Sequence, residues 1–459
     1  MFKFKNTYQS LPTTFYDYVK PYKFNDPQIL LLNESLAEDL NLDINKLKSQ
    51  GHLYLSSNQI VNQPIAQAYA GHQFGHFTML GDGRALLLGE LETSKGLIDL
   101  QLKGSGPTKY SRRGDGKATL VSMLREYIIS EAMHHLHIPT TRSLAVLTTG
   151  ENVRREETHD GAILVRSSKA HIRVGTFQYA AVKKEVKELA DYTIKRLYPY
   201  VNDYTAFLEE VVKNQAGLIA KWQSIGFIHG VMNTDNMSIA GETIDYGPCA
   251  FMDTYKEDTV FSSIDDSGRY AYKEQPSIGL WNLTRFAETL IPLLSDSEDE
   301  SIKTAQQILG KFNDYYFNSY LTHFAHKIGI SDPVKDDLLL INKLLQIMQD
   351  EKLDFTHTFR NLATLDLECL KEWKTVWSKR LELSSIEFDA AVTLMNAHNP
   401  SVIPRNHLVE KVLEDSKSNN YDGLYDLLTV IKTPFKEHTS KYTTPPPDDG
   451  RVYRTYCGT

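Results

Sequence analysis

The chain is poor in cysteine and has no long apolar run. Its 459 residues include three cysteines, Cys249, Cys369 and Cys457, too few and too scattered for a disulfide framework or a metal knuckle. No segment approaches the roughly 18 consecutive apolar residues of a membrane span, and the first sixteen residues lack the apolar core of a signal peptide. We therefore expect a cytoplasmic protein with no membrane partner.

An excess of positive charge is also missing. The chain has 58 acidic and 50 basic residues and a net charge of −8, which argues against a surface that coats nucleic acid. Its composition, 41% hydrophobic and 24% charged, is typical of a globular protein. Because the chain is longer than one ordinary domain, we expect two lobes that share an interface, and no nucleic-acid partner.

Local patterns change along the chain. Residues 1–60 contain proline turns and one predicted helix near "NESLAEDLNL", with Asn33 or Ser35 as its cap. Residues 61–180 consist of short strands and glycine turns, interrupted by one helix at "TLVSMLREYIISEAMHHL". Helical periodicity dominates from residue 181, and a proline-containing tail begins at 441. The stretch "AFLEEVVKNQAGLIAKWQSIGF", which runs into "HGVMNTDN", predicts a helix with one apolar face: Phe207, Leu208, Val211, Val212, Leu218, Ile219 and Trp222. We predict further helices at 278–294, 301–326, 335–349, 367–382 and 386–396.

These patterns predict an α+β fold. A small β-rich lobe with one key helix, followed by a large and mostly α-helical lobe, is the arrangement of protein kinases and their relatives. We therefore predict a protein-kinase-like, two-lobed fold. Its parts are an N-terminal extension (1–60), an N-lobe (61–180), a helical C-lobe with the catalytic loop (181–440) and a C-terminal tail (441–459).

The stretch "HGVMNTDN", residues 229–236, has the outline of a kinase catalytic loop, but Val231 occupies the place of the kinase aspartate. Asn236 falls at the metal-binding asparagine, and "DYG" follows nine residues later, with Asp245 at the metal-binding aspartate. An amide and a carboxylate at this spacing can share a Mg²⁺ or Mn²⁺ ion bridged to phosphate oxygens. The alternative is an ordinary hairpin with polar ends.

Candidate phosphate-binding groups precede this loop. In "GDGRALLLGE", Gly81 and Gly83 allow close approach of the backbone, and Arg84 supplies a planar fork that suits phosphate oxygens. Lys103 ends a predicted strand on the side away from the apolar face. Glu126, inside the predicted helix, is its candidate partner, as in the strand–helix ion pair of kinases.

More charged residues follow in turns and strand ends. "KYSRRGDGKA" is a second basic glycine turn and contains Asp115 and Gly116. Arg166 ends a strand, and Arg173 follows in "HIRVGTF". Each alone could be an ordinary surface residue, but a site for an extended triphosphate without a Walker loop needs several cations.

Six strings together resemble the selenoprotein O family, which consists of pseudokinase-fold protein adenylyltransferases. They are "YAGHQFGHFTMLGDGRA", "QLKGSGPTKYSRRGDGKA", "HGVMNTDNMSI", "IDYGPCAFMD", "NPSVIPRNH" and "TYCGT". The resemblance implies that ATP binds reversed relative to kinases. AMP would then pass to Ser, Thr or Tyr hydroxyls of other proteins, and pyrophosphate would leave. Transfer of UMP from UTP with Mn²⁺ is also attributed to the family.

The resemblance also implies roles for individual residues. Asp235 would be the proton acceptor, Asn236 and Asp245 would hold Mg²⁺ or Mn²⁺, and Lys103 would pair with Glu126. The residues that would contact the nucleotide are Gly81, Gly83, Arg84, Lys103, Asp115, Gly116, Arg166, Arg173 and Asp245. The residues themselves leave open whether Asp235 takes a proton or contacts the metal through water, and which phosphate is attacked.

Cys457 stands where some members of this family carry selenocysteine, and Cys249 follows "DYGP". We hypothesise that these two cysteines form a reversible disulfide that acts as a redox switch; the alternative is two free thiols. Two other functions also remain open. One is a true kinase that uses Asp235, against which Val231 weighs, and the other is a silent pseudokinase scaffold, against which the retained metal ligands weigh.

Overall fold

The computed structural model of the chain describes residues 2–59, 62–446 and 455. Its strands are β1 (Tyr16–Tyr18), β2 (Gln28–Leu32), β3 (Ile65–Gln67), β4 (Ala70–Gln73), β5 (His76–Met79), β6 (Ala85–Thr93), β7 (Gly96–Lys103), β8 (Ala118–Thr119), β9 (Arg142–Arg154), β10 (Thr158–Ser168), β11 (Phe227–Ile228) and β12 (Ala250–Phe251). Eight of these strands form one antiparallel sheet in the order β1-β3-β6-β7-β10-β9-β2, with β8 paired to β10.

In the part of the chain that the structure describes, three helices lie between strands of the main sheet, and helices dominate the second half of the chain. They are α1 (Glu34–Asp39), α2 (Ile44–Leu55), α3 (Leu120–His135), α4 (Val174–Lys183), α5 (Val186–Leu197), α6 (Tyr204–Ser224), α7 (Gln275–Leu294), α8 (Glu298–Gly310), α9 (Phe312–Lys327), α10 (Asp337–Asp350), α11 (Phe355–Asn361), α12 (Lys371–Leu383), α13 (Phe388–His398), α14 (Asn406–Ser416), α15 (Asp422–Ile431) and α16 (Ser440–Thr443). The α+β class is confirmed, and the arrangement is compatible with two lobes.

Residues 2–59 are tied to the main sheet at both of its edges. Strand β1 pairs with β3 and strand β2 pairs with β9, so this segment supplies both edge strands of the main sheet. Asn33 caps α1 by accepting a hydrogen bond from the backbone of Leu36, as the sequence predicted. The division of the chain at residues 60, 180 and 440 stays a prediction.

The key helix of the strand-rich region is α3. Thr119 caps it by accepting from the backbone of Ser122, and its apolar residues pack on β9 and β10. Nearly the whole helix is buried, including Glu126 and Arg125. Because a buried charge needs a partner, α3 has to deliver these side chains to specific counter-charges.

The longest helix, α6, carries the apolar face that its periodicity predicts. Its predicted core residues are all buried: Phe207, Leu208, Val211, Val212, Leu218, Ile219 and Trp222. They join the core cluster that also contains the inner residues of α3 and α7. The helix ends at Ser224 and leads directly into β11 and the "HGVMNTDN" loop, which therefore starts from a rigid base. Among the described residues, no helix has both the length and the apolar character of a membrane crossing.

Candidate active site

A cleft of about 490 Å³ brings together residues from the sheet, from α3 and from the "HGVMNTDN" and "DYG" segments. The register of the central strands starts this arrangement: on β7 and β10, Gln101 lies opposite Arg166 and Lys103 lies opposite Leu164. Of the residues predicted from the sequence, the cleft is lined by Gly83, Arg84, Lys103, Glu126, Arg166, Arg173, Asp235, Asn236 and Asp245.

Asp245 lies among three cations. Its Oδ1 accepts hydrogen bonds from Lys103 Nζ at 2.9 Å and from Arg166 Nη1 at 2.6 Å, and its Oδ2 lies 3.3 Å from Arg173 Nη1. Burial alone would raise the pKa of this carboxyl, but Arg166, Lys103 and Arg173 together hold the pKa well below its usual range. The carboxylate is therefore ionised, which is the form in which a carboxylate can bind a metal ion.

The backbone at Asp245 is also unusual, with φ of 61°. Only a few per cent of non-glycine residues adopt this left-handed conformation, although aspartate is among those that tolerate it best. Such backbone conformations are common at functional sites, where the surrounding contacts hold them in place. Here the three cations that bind the side chain provide those contacts.

Glu126 is the second acid of this cluster. Its Oε2 lies 2.6 Å from Lys103 Nζ, and its Oε1 lies 3.2 Å from Arg166 Nη1. The strand–helix ion pair predicted from the sequence is thus present, with Arg166 as an additional member. Arg166 also donates from Nε to Gln101 Oε1 at 2.7 Å, so its guanidinium is fixed on several sides.

Arg173 connects this cluster with the "HGVMNTDN" segment. It precedes α4 as the N-cap residue, instead of lying on a strand like Arg166. Its Nη1 donates to the backbone carbonyl of Asp235 at 3.1 Å, and its guanidinium lies 4.4 Å from the ring centroid of Tyr69. The cation–π contact and the carbonyl leave the guanidinium fixed in the cleft between Asp235 and Asp245.

Asp235 has a different environment. Its Oδ1 is buried and has no hydrogen-bond partner in the described part of the chain. Burial raises the pKa of this carboxyl to about 6, although Arg173 acts in the opposite direction. A buried acceptor without a partner is costly unless a ligand or water satisfies it, so the atom marks a place for one.

The oxygens of this segment fit a hard divalent cation. Asn236 donates from Nδ2 to the carbonyl of Val231 at 3.0 Å, which leaves its amide oxygen as the group for a metal. Asn236, Asp245 and Asp235 offer the oxygen donors that Mg²⁺ and Mn²⁺ prefer. In the described ranges, no three His, Cys, Asp or Glu side chains are arranged so that together they could hold a metal ion. Phosphate and water oxygens would therefore have to complete the coordination.

Three predicted nucleotide-binding residues do not line the cleft. Asp115 accepts from both terminal nitrogens of Arg155, at 2.9 and 3.1 Å. Gly116, with φ of 67°, packs so closely on the backbone of Gly106 that no side chain fits there. Gly81 packs in the same way on the ring of Tyr110. Gly81 lies in the turn between β5 and β6, and Asp115 and Gly116 lie in the loop between β7 and β8. The nucleotide-binding role of the three residues stays a prediction.

The sequence interpretation missed several polar residues of the cleft. Asp82 is 2% exposed and accepts from Gln101 Nε2 at 3.1 Å, and its carboxylate lies 3.9 Å from Arg173. Its position between the two glycines of "GDGR" was the signal in the sequence that could have identified it as a residue of the cleft. Tyr69 and Gln73 also line the cleft, from the segment around β4. The "GHQFGH" motif that contains Gln73 forms the β4–β5 hairpin.

Of the two cysteines proposed to form a disulfide, the structure describes Cys249 but not Cys457. Cys249 is fully buried, and burial raises the pKa of its thiol to about 12, so it is a poor nucleophile in this state. Cys457 lies outside the described residues. Thr455, two residues earlier, donates from Oγ1 to the carbonyl of Pro248 at 2.6 Å, next to Cys249. The disulfide itself stays a prediction.

Three buried cations around an ionised carboxylate, next to a second carboxylate in the same cleft, are typical of enzymes that act on phosphate groups. Residues 1–432 match the family described as Protein adenylyltransferase SelO. Proteins named Protein nucleotidyltransferase YdiU from Bacillus cereus (strain G9842), Bacillus thuringiensis (strain Al Hakam) and Bacillus mycoides (strain KBAB4) are each 50% identical to this chain, over 99% of it and 98% of their own length. The chain belongs to the SelO family of nucleotidyltransferase enzymes.

Proposed function

We propose that this enzyme transfers AMP from ATP to Ser, Thr or Tyr hydroxyls of proteins and releases pyrophosphate, with UTP as a second nucleotide donor. The observation that carries the proposal is the separation of two kinds of carboxylate in one cleft. Asp245 is ionised among Lys103, Arg166 and Arg173. Asp235, in contrast, has a buried carboxylate oxygen with no hydrogen-bond partner in the described part of the chain. The proposal includes a kinase-like two-lobed fold and a cytoplasmic location.

The cations would bind and orient the triphosphate. Lys103 and Arg166 reach the cleft from adjacent strands, and Arg173 reaches it from the start of α4. Donors fixed in advance by Glu126 and Gln101 stabilise developing negative charge on phosphate oxygens without reorganising. A Mg²⁺ or Mn²⁺ ion held by Asn236 and Asp245 would supply further charge neutralisation of the nucleotide.

Asp235 would take the proton of the acceptor hydroxyl. As the hydroxyl oxygen forms its bond to the α-phosphorus, its proton passes to the Asp235 carboxylate, and the bond between the α-phosphorus and the pyrophosphate oxygen breaks. A carboxyl with a pKa of about 6 is more basic than an exposed aspartate and is still mostly ionised at neutral pH, which suits a general base. Within the described residues, the other carboxylates of the cleft, on Asp82, Glu126 and Asp245, each form an ion pair with a cation, whereas that of Asp235 forms none.

A kinase that uses Asp235 and a silent scaffold are the competing functions. The test uses two ATP samples, one radiolabelled on the α-phosphate and one on the γ-phosphate, with Mg²⁺ or Mn²⁺. Protein-bound label from the α sample alone supports adenylylation. Label from the γ sample alone would establish a kinase, and tight nucleotide binding without label would establish a scaffold.

A further inference from the structure

The β4–β5 hairpin lies directly against the catalytic-loop segment. Within the hairpin, His72 pairs with Phe77 and Gln73 pairs with His76. The first strand is held against the loop, whereas the second strand is largely exposed, with Phe77 46% accessible. The sequence motif "GHQFGH" therefore belongs to an element that covers the catalytic loop, and the proposed reaction does not yet use it.

Backbone groups of the hairpin bind side chains of the loop. The backbone N–H of His72 donates to Thr234 Oγ1 at 2.7 Å, and that of Phe74 donates to Asn233 Oδ1 at 3.0 Å. Thr234 in turn donates to Gln178 Oε1 at 2.6 Å, and Gln178 Nε2 lies 2.7 Å from His72 Nδ1. The bonds among His72, Thr234 and Gln178 form a closed ring. Together with the separate bond to Asn233, they fix the two residues immediately before Asp235.

Gly71 shows how closely the hairpin approaches the catalytic carboxylate. A Cβ atom at this position would lie 2.6 Å from Asp235 Oδ1 and 3.0 Å from Asp235 Cβ. Both distances are too short for a van der Waals contact, so a side chain at position 71 would displace the carboxylate. The glycine is needed here for space.

Gln73 reaches the other carboxylate oxygen. Its Nε2 donates to Asp235 Oδ2 at 3.4 Å, a long bond of the kind that shortens in a complex with substrate. Gln73 and Phe74 also line the cleft on the side of Asp235. A donor on Oδ2 fixes the rotation of the carboxylate relative to the cleft.

We propose that Gln73 is a positioning residue for Asp235 and that the β4–β5 hairpin forms the wall of the cleft that faces the acceptor hydroxyl. This inference rests on the proposed function, because it gives the hairpin a part in the transfer step. Gln73 acts through Asp235, so its loss slows transfer without weakening the binding of nucleotide by Lys103, Arg166 and Arg173.

The test replaces the donor and keeps the shape. Gln73→Glu has nearly the same size but presents an acceptor to Asp235, and Gln73→Met is an apolar equivalent. We expect both to lower the kcat of AMP transfer about 10- to 100-fold, because a hydrogen bond to a charged group is lost and the base is misaligned. The dissociation constant of ATP should stay within about twofold, and the thermal unfolding midpoint should hardly change.

Alanine substitutions at two glycines provide a second test and its matched control. Gly71→Ala should lower kcat at least as much, whereas Gly217→Ala, in the middle of α6, should leave it unchanged because its Cβ would meet only Ser319 Oγ at 3.9 Å. A wild-type kcat in Gln73→Glu and Gly71→Ala would overturn the inference. So would a loss of ATP affinity parallel to the loss of kcat. If the wild-type enzyme itself transfers no AMP, it is the proposed function that fails.

Discussion

Arg166 and Asp245 are joined by a hydrogen-bonded ion pair, with Nη1 2.6 Å from Oδ1, and the arginine side chain is only 3% exposed. Arg166 is at the same time 3.2 Å from Glu126. Each acid of the cluster therefore shares its cations with the other. Removal of one acid leaves buried positive charge without compensation, which makes the cluster sensitive to single substitutions.

Asp245→Ala should abolish AMP transfer and lower the free energy of unfolding by about 3–5 kcal/mol, the usual effect of removing one partner of a buried ion pair. Transfer should stop because the proposed ligand of the divalent ion is lost. The measurements are α-phosphate labelling and urea unfolding. Asp258→Ala, which removes an exposed partner of Lys273, is the control and should change neither. Unchanged turnover in Asp245→Ala would refute the assigned site.

Arg166→Lys should weaken ATP binding about tenfold although the charge is kept. Lysine lacks the fork that contacts Gln101, Glu126 and Asp245 together, so the ammonium cannot be held in the same place. Isothermal titration with ATP measures the effect. Arg142→Lys is the matched control, because Arg142 makes a similar fork to Glu131 away from the cleft. Equal losses of affinity in the two variants would contradict a specific role for Arg166.

Val231→Asp restores the acid of a kinase loop, and we expect no transfer of the γ-phosphate. Val231 is 8% exposed, so the new carboxylate would be mostly buried in a cleft that already contains Asp235 and Asp245. Repulsion and desolvation should also reduce AMP transfer. Val231→Asn separates the effect of shape from that of charge, and labelling from γ-labelled ATP is the readout. Efficient γ-phosphate transfer by Val231→Asp would contradict the reversed binding of ATP, because it would show that the cleft presents the γ-phosphate to this position.

A pH-dependent prediction concerns Asp253, which pairs with buried Arg405 in the "NPSVIPRNH" motif. Burial raises the pKa of Asp253 to about 6, against the attraction of Arg405. The folded state therefore binds the proton more tightly than the unfolded state, and this contribution to stability is lost as the pH rises from about 4 to about 6. Arg405 also donates to both oxygens of Asp354, which keeps it charged and in place.

Relative to Asp253→Asn, the wild-type free energy of unfolding should fall by about 3 kcal/mol over that pH range. Urea unfolding of both proteins at a series of pH values measures the difference, and groups common to both cancel. The difference should be largest in favour of wild type at the acid end. A difference that is constant with pH would show that Asp253 titrates normally.

The sequence predicted those helices that have a clear N-cap residue and a clear apolar stripe. The helix at "TLVSMLREYIISEAMHHL" is α3, because Thr119 provides its cap and an apolar stripe its contacts. The prediction of a single helix at 301–326 is wrong, because the segment forms two helices: α8 ends at Gly310 and α9 begins at Phe312. The apolar periodicity continues across this break, and Gly310 was the only local sign of a helix end.

Parts of the candidate site could be predicted where residues keep the sequence spacing of the corresponding residues in protein kinases. Lys103 and Glu126 form the pair expected for a strand followed by a helix. The contacts of Gln73 with Asp235 and of Asp82 with Arg173 join segments far apart in the sequence, and periodicity contains no information about such pairs. Only the folded chain brings the β4–β5 hairpin onto the catalytic loop.

The most direct test of the central claim is the intact mass of the acceptor protein after incubation with ATP and Mg²⁺ or Mn²⁺. The chain itself is the first acceptor to examine, with wild type and Asp235→Asn compared after confirmation that both bind ATP equally. We predict that wild type gains the mass of one or more AMP groups and that Asp235→Asn gains none. A gain of phosphate mass, or equal AMP addition by Asp235→Asn, would contradict the account.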